Sequence, residues 1–376
     1  MLNSIINLSK ELIKIPSISP LDLGCQEILA QKLKKIGFII ENIKINRTSN
    51  LWAYKGHGKT LTFVGHTDVV PAGNIKKWKI HPFQPIVIND YLFGRGSADM
   101  KGSISAMICA TENFLKKYNF HKGRISFLLT SDEESRACDG TKKIVQILKK
   151  RKEKINYCLV GEPTSNKILG DCIKNGRRGS LSAVITIYGI QGHIAYPNFA
   201  ENPIHKSIVF IKKLINLELD RGNDYFKPSC LQIFFISSGK LNITNMIPDS
   251  IKIGLNIRYT PEIKKKNIVL KIEEMLKKNS LKNKISWFFS GDPFLTSSGK
   301  LLQVTKSSIQ KILKISPYLS TSGGTSDGRF FPLLKSEIIE LGPVNKTIHK
   351  INECVKVQDL YLLSKIYENI LKKLFL

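Results

Sequence analysis

The sequence lacks the features that mark membrane proteins, disulfide-bonded proteins and cysteine-ligated zinc proteins. None of its apolar runs approaches the roughly 20 residues that a membrane-spanning helix needs. Its first residues, MLNSIINLSKELIKIP, have neither the basic n-region nor the small-residue cleavage site of a signal peptide. The seven cysteines are odd in number and form no CxxC pair, which argues against a disulfide framework and a thiolate zinc site. We therefore expect a cytoplasmic protein with reduced thiols and no membrane contact.

Acidic residues are also scarce, because 30 Asp and Glu residues stand against 58 Lys and Arg residues, and the net charge is +28. Such a charge is compatible with nucleic-acid binding. However, the sequence has no RNP, zinc-finger or basic-arm motif, and its lysines are spread over predicted helix faces such as 142–154 and 264–278. Abundant Lys, Ile and Asn is typical of proteins from AT-rich genomes. We expect no nucleic-acid partner, and we expect the positive field to attract small anionic molecules.

The order of strand-like and helix-like segments predicts two domains in these 376 residues. Strands and helices alternate over the first 165 residues, which predicts a mixed sheet covered by helices. Between residues 180 and 291 the order becomes β-α-β-β-α-β, which is the split arrangement of a ferredoxin-like domain. We therefore predict an α/β protein in which 1–179 and 292–376 form one discontinuous domain. Residues 180–291 form an inserted α+β domain.

The segment LTFVGHTD combines a buried strand with two chemically useful side chains. The apolar run 61–64 suits a strand, and His66 and Asp68 follow it at a spacing that places both on one side. A neutral imidazole binds zinc well, and a nearby carboxylate can fix its tautomer. The pattern predicts a metal ligand with its orienting carboxylate. A polar turn that closes the strand is the alternative interpretation.

Polar loops after successive predicted strands contain further candidate metal ligands. The candidate metal ligands are two imidazoles and three carboxylates, without a thiolate: His66, Asp99, Glu134, Glu162 and His349. This set suits zinc, and also cobalt or manganese. Two metal ions about 3.5–4 Å apart need a bridging carboxylate, and Asp99 in the tight turn 98–102 is the natural bridge. Taken singly, each carboxylate has a plain alternative as a solvated or helix-capping residue.

The adjacent residues Glu133 and Glu134 can take two different roles in a hydrolase. In a loop, Glu134 can bind a metal while Glu133 removes a proton from an attacking water. Neighbouring charges and burial would move the pKa of Glu133 towards the working range. Two exposed acids on a loop are the alternative interpretation.

Ten motifs together resemble one family of metal-dependent hydrolases. HTDVVPAG, LFGRGSADMKG, TSDEES, LVGEPT and TIHKINE are similar to the aminoacylase/carboxypeptidase family of co-catalytic dinuclear zinc hydrolases. NGRRGS, QGHIAYP, SGDPF, GGTSDGRF and ELGPVN resemble the members of that family that act on a succinylated substrate. The resemblance covers about residues 13–357. It implies a zinc-peptidase-like catalytic domain and an inserted domain that serves as a lid and as the dimerisation domain.

The resemblance also implies roles for the candidate residues. It places one of two Zn²⁺ ions (or Co²⁺) on His66, Asp99 and Glu162, and the other on Asp99, Glu134 and His349. It implies that Asp68 orients His66, that Glu133 is the general acid and base, and that a cis peptide follows Asp99. In the family, a lid histidine of the other subunit of a homodimer stabilises the oxyanion, and His193 matches it.

The activity implied by the resemblance is hydrolysis of the amide of N-succinyl-LL-2,6-diaminopimelate, in the biosynthesis of lysine and diaminopimelate. This substrate carries three carboxylates, and arginine suits carboxylates because its donors form a planar fork. The substrate contacts implied by the resemblance are Arg178, Tyr196, Asn245, Arg258, Ser290, Gly291, Gly324, Thr325, Arg329 and Asn345. Arg177 and Lys174 could take the role of Arg178, and each arginine has an ordinary surface ion pair as its alternative.

Three other functions are compatible with parts of the sequence. An acetylornithine deacetylase or a dipeptidase would share the fold and the ligands, but acetyl needs no second carboxylate clamp. A basic nucleic-acid-binding protein on a dead hydrolase fold, or a metal-storage or scaffold protein, would not need an intact Glu133. The sequence therefore predicts an amide hydrolase.

Overall fold

A computed structural model describes all residues 1–376, and it contains eight α-helices and nineteen strands. The helices are α1 (Leu2–Ile13), α2 (Cys25–Lys35), α3 (Lys101–Lys117), α4 (Thr141–Lys150), α5 (Pro203–Ile215), α6 (Lys265–Lys278), α7 (Lys300–Leu313) and α8 (Val357–Phe375). The first ten strands are β1 (Ile39–Ile45), β2 (Thr48–Gly56), β3 (Thr60–His66), β4 (Ile86–Ile88), β5 (Tyr91–Phe93), β6 (Arg124–Thr130), β7 (Tyr157–Val160), β8 (Cys172–Lys174), β9 (Gly176–Arg177) and β10 (Gly179–Tyr188). The others are β11 (Gly192–His193), β12 (Cys230–Ser238), β13 (Met246–Ile247), β14 (Ser250–Tyr259), β15 (Asn283–Gly291), β16 (Phe294–Leu295), β17 (Tyr318–Ser320), β18 (Glu337–Glu340) and β19 (Cys354–Lys356).

The chain divides into two compact units. The first contains Met1–Gly176 and Leu295–Leu376, and the second contains Arg177–Phe294. The sequence predicted an inserted segment at 180–291. None of the helices is both long enough and apolar enough to cross a bilayer.

An eight-stranded sheet in the order β1-β2-β6-β3-β7-β18-β8-β17 organises the first unit. Its central strands β6, β3, β7 and β18 are mutually parallel, and β1 and β2 are antiparallel additions at one side. The central strand β3 is buried along its whole length, as its apolar run requires. This arrangement points the carboxyl ends of all four parallel strands towards one edge.

Helix α3 packs close to its neighbours because it carries small residues. A Cβ on Gly102 would lie 2.3 Å from the carbonyl oxygen of Ser97, so only glycine fits at this position. The buried positions that follow include Ser103, Ser105 and Ala106. The small residues therefore let the turn that contains Asp99 run directly into the helix.

A four-stranded antiparallel sheet in the order β12-β14-β10-β15 organises the second unit. Along β10, Leu181, Ala183, Ile185 and Ile187 are buried and alternate with more exposed residues. Side chains of α5 and α6 share this core. The predicted order β-α-β-β-α-β is confirmed for the long strands and helices from β10 to β15, with the short strands β11 and β13 added between them.

The strands of two or three residues, such as β4, β5 and β19, were not predicted from the sequence. Segments this short have no measurable hydrophobic periodicity. They are strands because they pair with a neighbouring strand, as β4 and β19 pair with β5. The sequence analysis also missed the 3-10 helix Asp327–Leu334, which begins within the GGTSDGRF motif. Ser326 caps this helix by accepting the main-chain N–H of Gly328.

Candidate metal centre

The four parallel strands bring the candidate ligands to one edge of the first unit. Strand β3 ends at His66, and the other candidates follow β6, β7 and β18 along the chain. The residues that follow these three strands are Glu133, Glu134, Glu162 and His349. Asp99 comes from the turn between β5 and α3, and the implied cis peptide is present between Asp99 and Met100.

His66 is buried and has a defined tautomer. Its Nδ1 lies 2.9 Å from the main-chain oxygen of Asp68. A carbonyl oxygen can only accept, so Nδ1 keeps its proton, and it is the Nε2 lone pair that the neutral ring would present to the centre. Burial lowers the pKa of His66, but Asp99, Glu162 and Asp68 more than offset burial and hold it well above the usual range.

Asp99 lies between the two histidines and offers one oxygen to each. Its Oδ1 is 3.3 Å from Nε2 of His66, and its Oδ2 is 3.2 Å from Nε2 of His349. Burial alone would raise the pKa of Asp99, but both histidines hold it below the usual range. The Asp99 side chain therefore has the geometry of a bridge.

Glu162 and Glu134 complete two overlapping sets. Oε1 of Glu162 is 3.7 Å from Nε2 of His66, and Oε1 of Glu134 is 3.0 Å from Nε2 of His349. Asp99 and Glu134 raise the pKa of His349 to about 10. The structure thus brings together all five candidate ligands.

Two buried atoms at this centre have no hydrogen-bond partner, and they are the atoms that a cation would need. Nε2 of His66 and Oδ1 of Asp99 are both buried and lack a hydrogen-bond partner, although they lie 3.3 Å apart. Facing atoms from His66, Asp99 and Glu134 lie within 4.8 Å of one another, as do those from His66, Glu133 and Glu162. Buried polar atoms normally find partners. The residues therefore fit divalent metal ions.

The carboxylate of Asp68 contacts the loop of Glu133 rather than the ring of His66. Its nearer oxygen is 3.7 Å from Nδ1 of His66, which the main-chain oxygen of Asp68 already engages. The carboxylate accepts the main-chain N–H groups of Glu133 at 3.1 Å and Glu134 at 3.0 Å. Burial raises the pKa of Asp68 to about 6. Asp68 thus supports His66 through its backbone, and it supports the two glutamates through its side chain.

Glu133 faces a buried environment that favours its protonated form. Burial and the charge of Asp327 raise the pKa of Glu133 to about 8, although His66 and Arg329 lower it. Nη1 of Arg329 is 4.0 Å from its carboxylate. Asp327 is itself held by Thr141, whose hydroxyl donates to it over 2.6 Å. A carboxyl group with this pKa can both accept and return a proton near neutral pH.

The predicted substrate contacts of the first unit follow β17 and β18, three of them on loops and Arg329 in the 3-10 helix Asp327–Leu334. Arg329 is buried, Thr325 is half-buried and Gly324 is exposed, with open space where a Cβ would lie. The side-chain amide of Asn345 donates to Asn166 over 3.3 Å. Of these four residues, Arg329 is the one that the structure places beside Glu133.

Four predicted contacts of the second unit gather at one end of its sheet. Arg258 pairs in register with Ser180 on β10 and with Cys230 on β12. Nη1 of Arg178 is 3.5 Å from the sulfur of Cys230. Ser290 and Gly291 end the neighbouring strand β15, whose register places Gly291 opposite Ser180.

The predicted contacts Tyr196 and Asn245 and the predicted oxyanion donor His193 lie beyond the opposite end of that sheet, beside the separate strand pair β11 and β13. The main-chain N–H of Ile194, next to His193, donates to the oxygen of Asn245, and Tyr196 donates its N–H to the oxygen of His193. This group follows the last residue of β10, whereas Arg178 precedes its first. The ten residues of β10 separate the two groups by about 30 Å, at roughly 3.3 Å per residue.

Sequence reasoning missed two buried charged residues that surround the turn of Asp99. Glu353 and Arg95 form an ion pair of 2.7 Å and are almost fully buried. Both lie inside motifs that the sequence analysis singled out, but no role was assigned to them. A charged residue within a motif that also contains candidate metal ligands is the signal that could have identified them.

The whole chain is similar to proteins of one hydrolase family. Residues 62–373 match the peptidase family M20/M25/M40. The succinyl-diaminopimelate desuccinylase of Buchnera aphidicola subsp. Acyrthosiphon pisum (strain APS) is 56% identical over 371 residues, which cover 99% of each chain. That of Buchnera aphidicola subsp. Baizongia pistaciae (strain Bp) is 56% identical over 372 residues, covering 99% of this chain and 98% of the relative.

Two solved structures of the same fold extend this result. The M20 family metallo-carboxypeptidase Sso-CP2 from Sulfolobus solfataricus superposes with a TM-score of 0.83 at 19% identity, covering 98% of each chain. The YXEP protein of Bacillus subtilis, described as a dinuclear metal binding peptidase, gives 0.71 at 14% identity, covering 98% of this chain and 97% of that chain. At this identity the likeness shows the fold, and it confirms the predicted fold class. The chain belongs to the peptidase family M20/M25/M40, among the relatives of the succinyl-diaminopimelate desuccinylases.

Proposed function

We propose that this protein hydrolyses the amide of N-succinyl-LL-2,6-diaminopimelate to succinate and LL-2,6-diaminopimelate, in the biosynthesis of lysine and diaminopimelate. The observation that carries the proposal is the centre itself. Five ligands meet around Asp99, and Glu133 stands beside them with a pKa near 8. The 54–56% identity to desuccinylases over nearly the full chain supports this substrate.

In this proposal the centre holds two divalent metal ions, which are Zn²⁺ and can be replaced by Co²⁺. His66, Asp99 and Glu162 hold one ion, and Asp99, Glu134 and His349 hold the other. The two oxygens of Asp99, one towards each histidine, support this division. When bound, such ions polarise an amide carbonyl and lower the pKa of water to about 7.

Glu133 moves the proton in the proposed reaction. Its carboxylate accepts a proton from the attacking water and returns it to the nitrogen of the leaving amine, so that one group serves both steps. Arg329, 4.0 Å away, keeps a positive charge beside the ionised form. The hydrogen bonds from Glu133 and Glu134 to Asp68 hold the loop in place while the charge changes.

Each unit carries fixed cations of the kind that bind carboxylates. Arg178 and Arg258 form one group in the second unit, and Arg329 lies in the first. Replacing Arg178 with Met should lower kcat/KM at least tenfold, because a carboxylate then loses a charged donor. Arg151→Met is the matched control, since Arg151 pairs with Glu41 on the surface and should leave kcat/KM unchanged. Equal values for both variants would remove Arg178 from the substrate site.

The protein acts as a homodimer in this proposal, with the second unit as its lid and dimerisation domain. An extended N-succinyl-diaminopimelate is about 15 Å long, judged from standard bond dimensions. It cannot touch both ends of a sheet whose predicted contacts lie about 30 Å apart. The contacts His193, Tyr196 and Asn245 therefore serve the substrate of a second copy.

The second unit has an apolar surface that could pair with that second copy. The edge strand β12 exposes Phe234 by 64% and Ile236 by 52%, and α5 exposes Ile208 by 56% and Ile215 by 65%. Large exposed apolar patches mark interaction surfaces. Ile208→Lys should produce a monomer in sedimentation analysis at micromolar concentration and should lower kcat, whereas an unchanged dimer would refute this surface.

His193 is available as a donor to the oxyanion. Its Nδ1 accepts the main-chain N–H of Ala195 over 3.1 Å, so the proton lies on Nε2, and the side chain is exposed. His193→Ala should lower kcat about 100-fold in an intact dimer, which is a typical loss for one oxyanion donor. Full activity of that dimer would exclude this role.

We also propose a cytoplasmic location, which the free state of all seven cysteines supports. The test of the proposed function compares N-succinyl-LL-2,6-diaminopimelate with N-acetylornithine, each with and without a chelator, using purified zinc-loaded protein. We expect chelator-sensitive release of succinate and no hydrolysis of N-acetylornithine. Preferential hydrolysis of N-acetylornithine would contradict the proposed substrate, because acetyl needs no additional carboxylate clamp.

A further inference from the structure

Glu353 is a buried carboxylate that holds the turn of the bridging ligand. Its Oε1 accepts the main-chain N–H groups of Ala98 at 2.9 Å and Asp99 at 3.1 Å. Its Oε2 accepts the N–H of Gly96 at 3.0 Å and Nη1 of Arg95 at 2.7 Å. One side chain thus accepts three of the four main-chain N–H groups of the turn 96–99, and Glu353 has no solvent exposure.

Glu353 also connects the turn of Asp99 to the segment that contains His349. Glu353 follows His349 by four residues, and its carbonyl oxygen accepts the N–H of Gly94 over 3.0 Å. Strand β19, which starts one residue later, pairs with β5, which ends just before this turn. Arg95 strengthens the connection because its Nη1 also donates to the oxygen of Lys350 over 3.3 Å. Asp99 and His349 are 250 residues apart in sequence, and Glu353 connects their loops.

We propose that Glu353 is a positioning residue that fixes Asp99 against His349 and so sets the affinity of the metal ion that these two ligands share. The inference rests on the two-metal centre of the proposed function and assigns a role that neither the ligands nor Glu133 perform. His66 depends less on this connection because it ends the fully buried strand β3, whereas His349 is half exposed on a loop. Loss of Glu353 should therefore weaken the metal ion on His349 more than the other ion.

The test must separate this role from plain charge pairing with Arg95. In Glu353→Gln, the guanidinium of Arg95 attracts the amide oxygen, so the amide NH₂ faces the N–H groups of Ala98 and Asp99. Those two donors then lose their acceptor. In Arg95→Met, the same ion pair is broken, but the carboxylate keeps its three N–H donors, which favour its ionised form. The two variants remove the same charge pair and differ in whether Asp99 keeps its anchor.

The experiment is a Co²⁺ titration of metal-free protein against a competing chelating dye, with the visible cobalt spectrum recorded at each addition. We expect two equivalents on the unaltered protein. For Glu353→Gln we expect one of the two equivalents, the one that His349→Ala also weakens, to lose about 10- to 100-fold in affinity, the range found when groups behind metal ligands are removed. For Arg95→Met we expect both affinities within threefold of the unaltered protein.

Two results would overturn the inference. One is a loss of less than tenfold in Glu353→Gln, and the other is a loss in Arg95→Met as large as that in Glu353→Gln. If Glu353→Gln does not fold, Glu353→Asp carries the same test, because its shorter side chain keeps the charge but cannot reach both pairs of donors. Failure of the unaltered protein to bind Co²⁺ would instead refute the proposed metal centre, so the two failures are distinguishable.

Discussion

Replacing Glu133 with Gln tests the assignment of the proton-transfer group. The substitution keeps the size of the side chain and removes its ability to accept a proton. General acid–base groups contribute about 10²- to 10⁴-fold, so kcat should fall by that factor, which corresponds to about 3–5 kcal/mol of barrier. The five ligands are untouched, and metal content should remain at two ions per chain.

The structure also predicts how this group depends on pH. Burial and the charge of Asp327 raise the pKa of Glu133 to about 8, and bound divalent cations favour the ionised form and lower this value. The base is active only when ionised. Consequently kcat/KM should fall as the pH decreases through a pKa below 8, and Glu133→Gln should lose this acid limb.

The assay follows succinate release over pH 5–9, with metal content measured on the same samples. Glu41→Gln serves as the control, because this surface residue pairs with Arg151 and lies outside the centre. A Glu133→Gln variant with two bound metal ions and a kcat within threefold of the unaltered protein would refute the assigned role.

Further perturbations test how the centre is held together. Asp68→Asn keeps an oxygen for the N–H groups of Glu133 and Glu134, whereas Asp68→Ala removes it, so kcat should fall further in the Ala variant; equal loss would show that these bonds are unimportant. His349→Ala should weaken one metal ion more than the other in a titration, and equal loss would refute the division of ligands. In metal-free protein, the folded pKa of Glu133 near 8 exceeds its usual 4.5, so folding favours the protonated form. As the pH rises from about 4.5 to about 8, the unaltered protein should lose thermal stability relative to Glu133→Gln. A difference in melting temperature between the two proteins that stays constant between pH 5 and pH 9 would contradict the raised pKa.

That the candidate ligands lie close together could be predicted from the sequence, because their placement follows from strand order. His66 and Glu162 each lie at or just after the end of a buried apolar run, and such ends meet when the strands are parallel. This prediction therefore needed only the apolar runs that mark the strands and the position of the polar residues after them. The alternation within β10 and the helix period of α6 located the second unit in the same way.

The contacts of side chains with distant backbone could not be predicted. Glu353 binds the N–H of Asp99 across 254 residues, and no local pattern connects the two positions. Which part of Asp68 contacts His66 could not be predicted either, because it depends on distances. The main-chain oxygen of Asp68 lies closer to the ring of His66 than its carboxylate does. The position of His193 at the far end of the sheet from Arg258 required the strand register.

The net charge of +28 is compatible with the proposed enzyme and does not require a nucleic-acid partner. A positive field raises the local concentration of an anionic substrate and accelerates its arrival, an effect that salt reduces. The same charge would promote nonspecific binding to DNA with a steep salt dependence. Absence of such binding at about 0.15 M salt, with kcat/KM falling as salt rises, would favour substrate attraction.

The most direct test of the two-metal hydrolase is the rate of succinate release from N-succinyl-LL-2,6-diaminopimelate as Zn²⁺ is added back to metal-free protein. We predict no measurable release without metal and a rate that rises until two equivalents are bound at the ligands around Asp99. A full rate in metal-free protein, or a rate that does not respond to added Zn²⁺, would contradict the account.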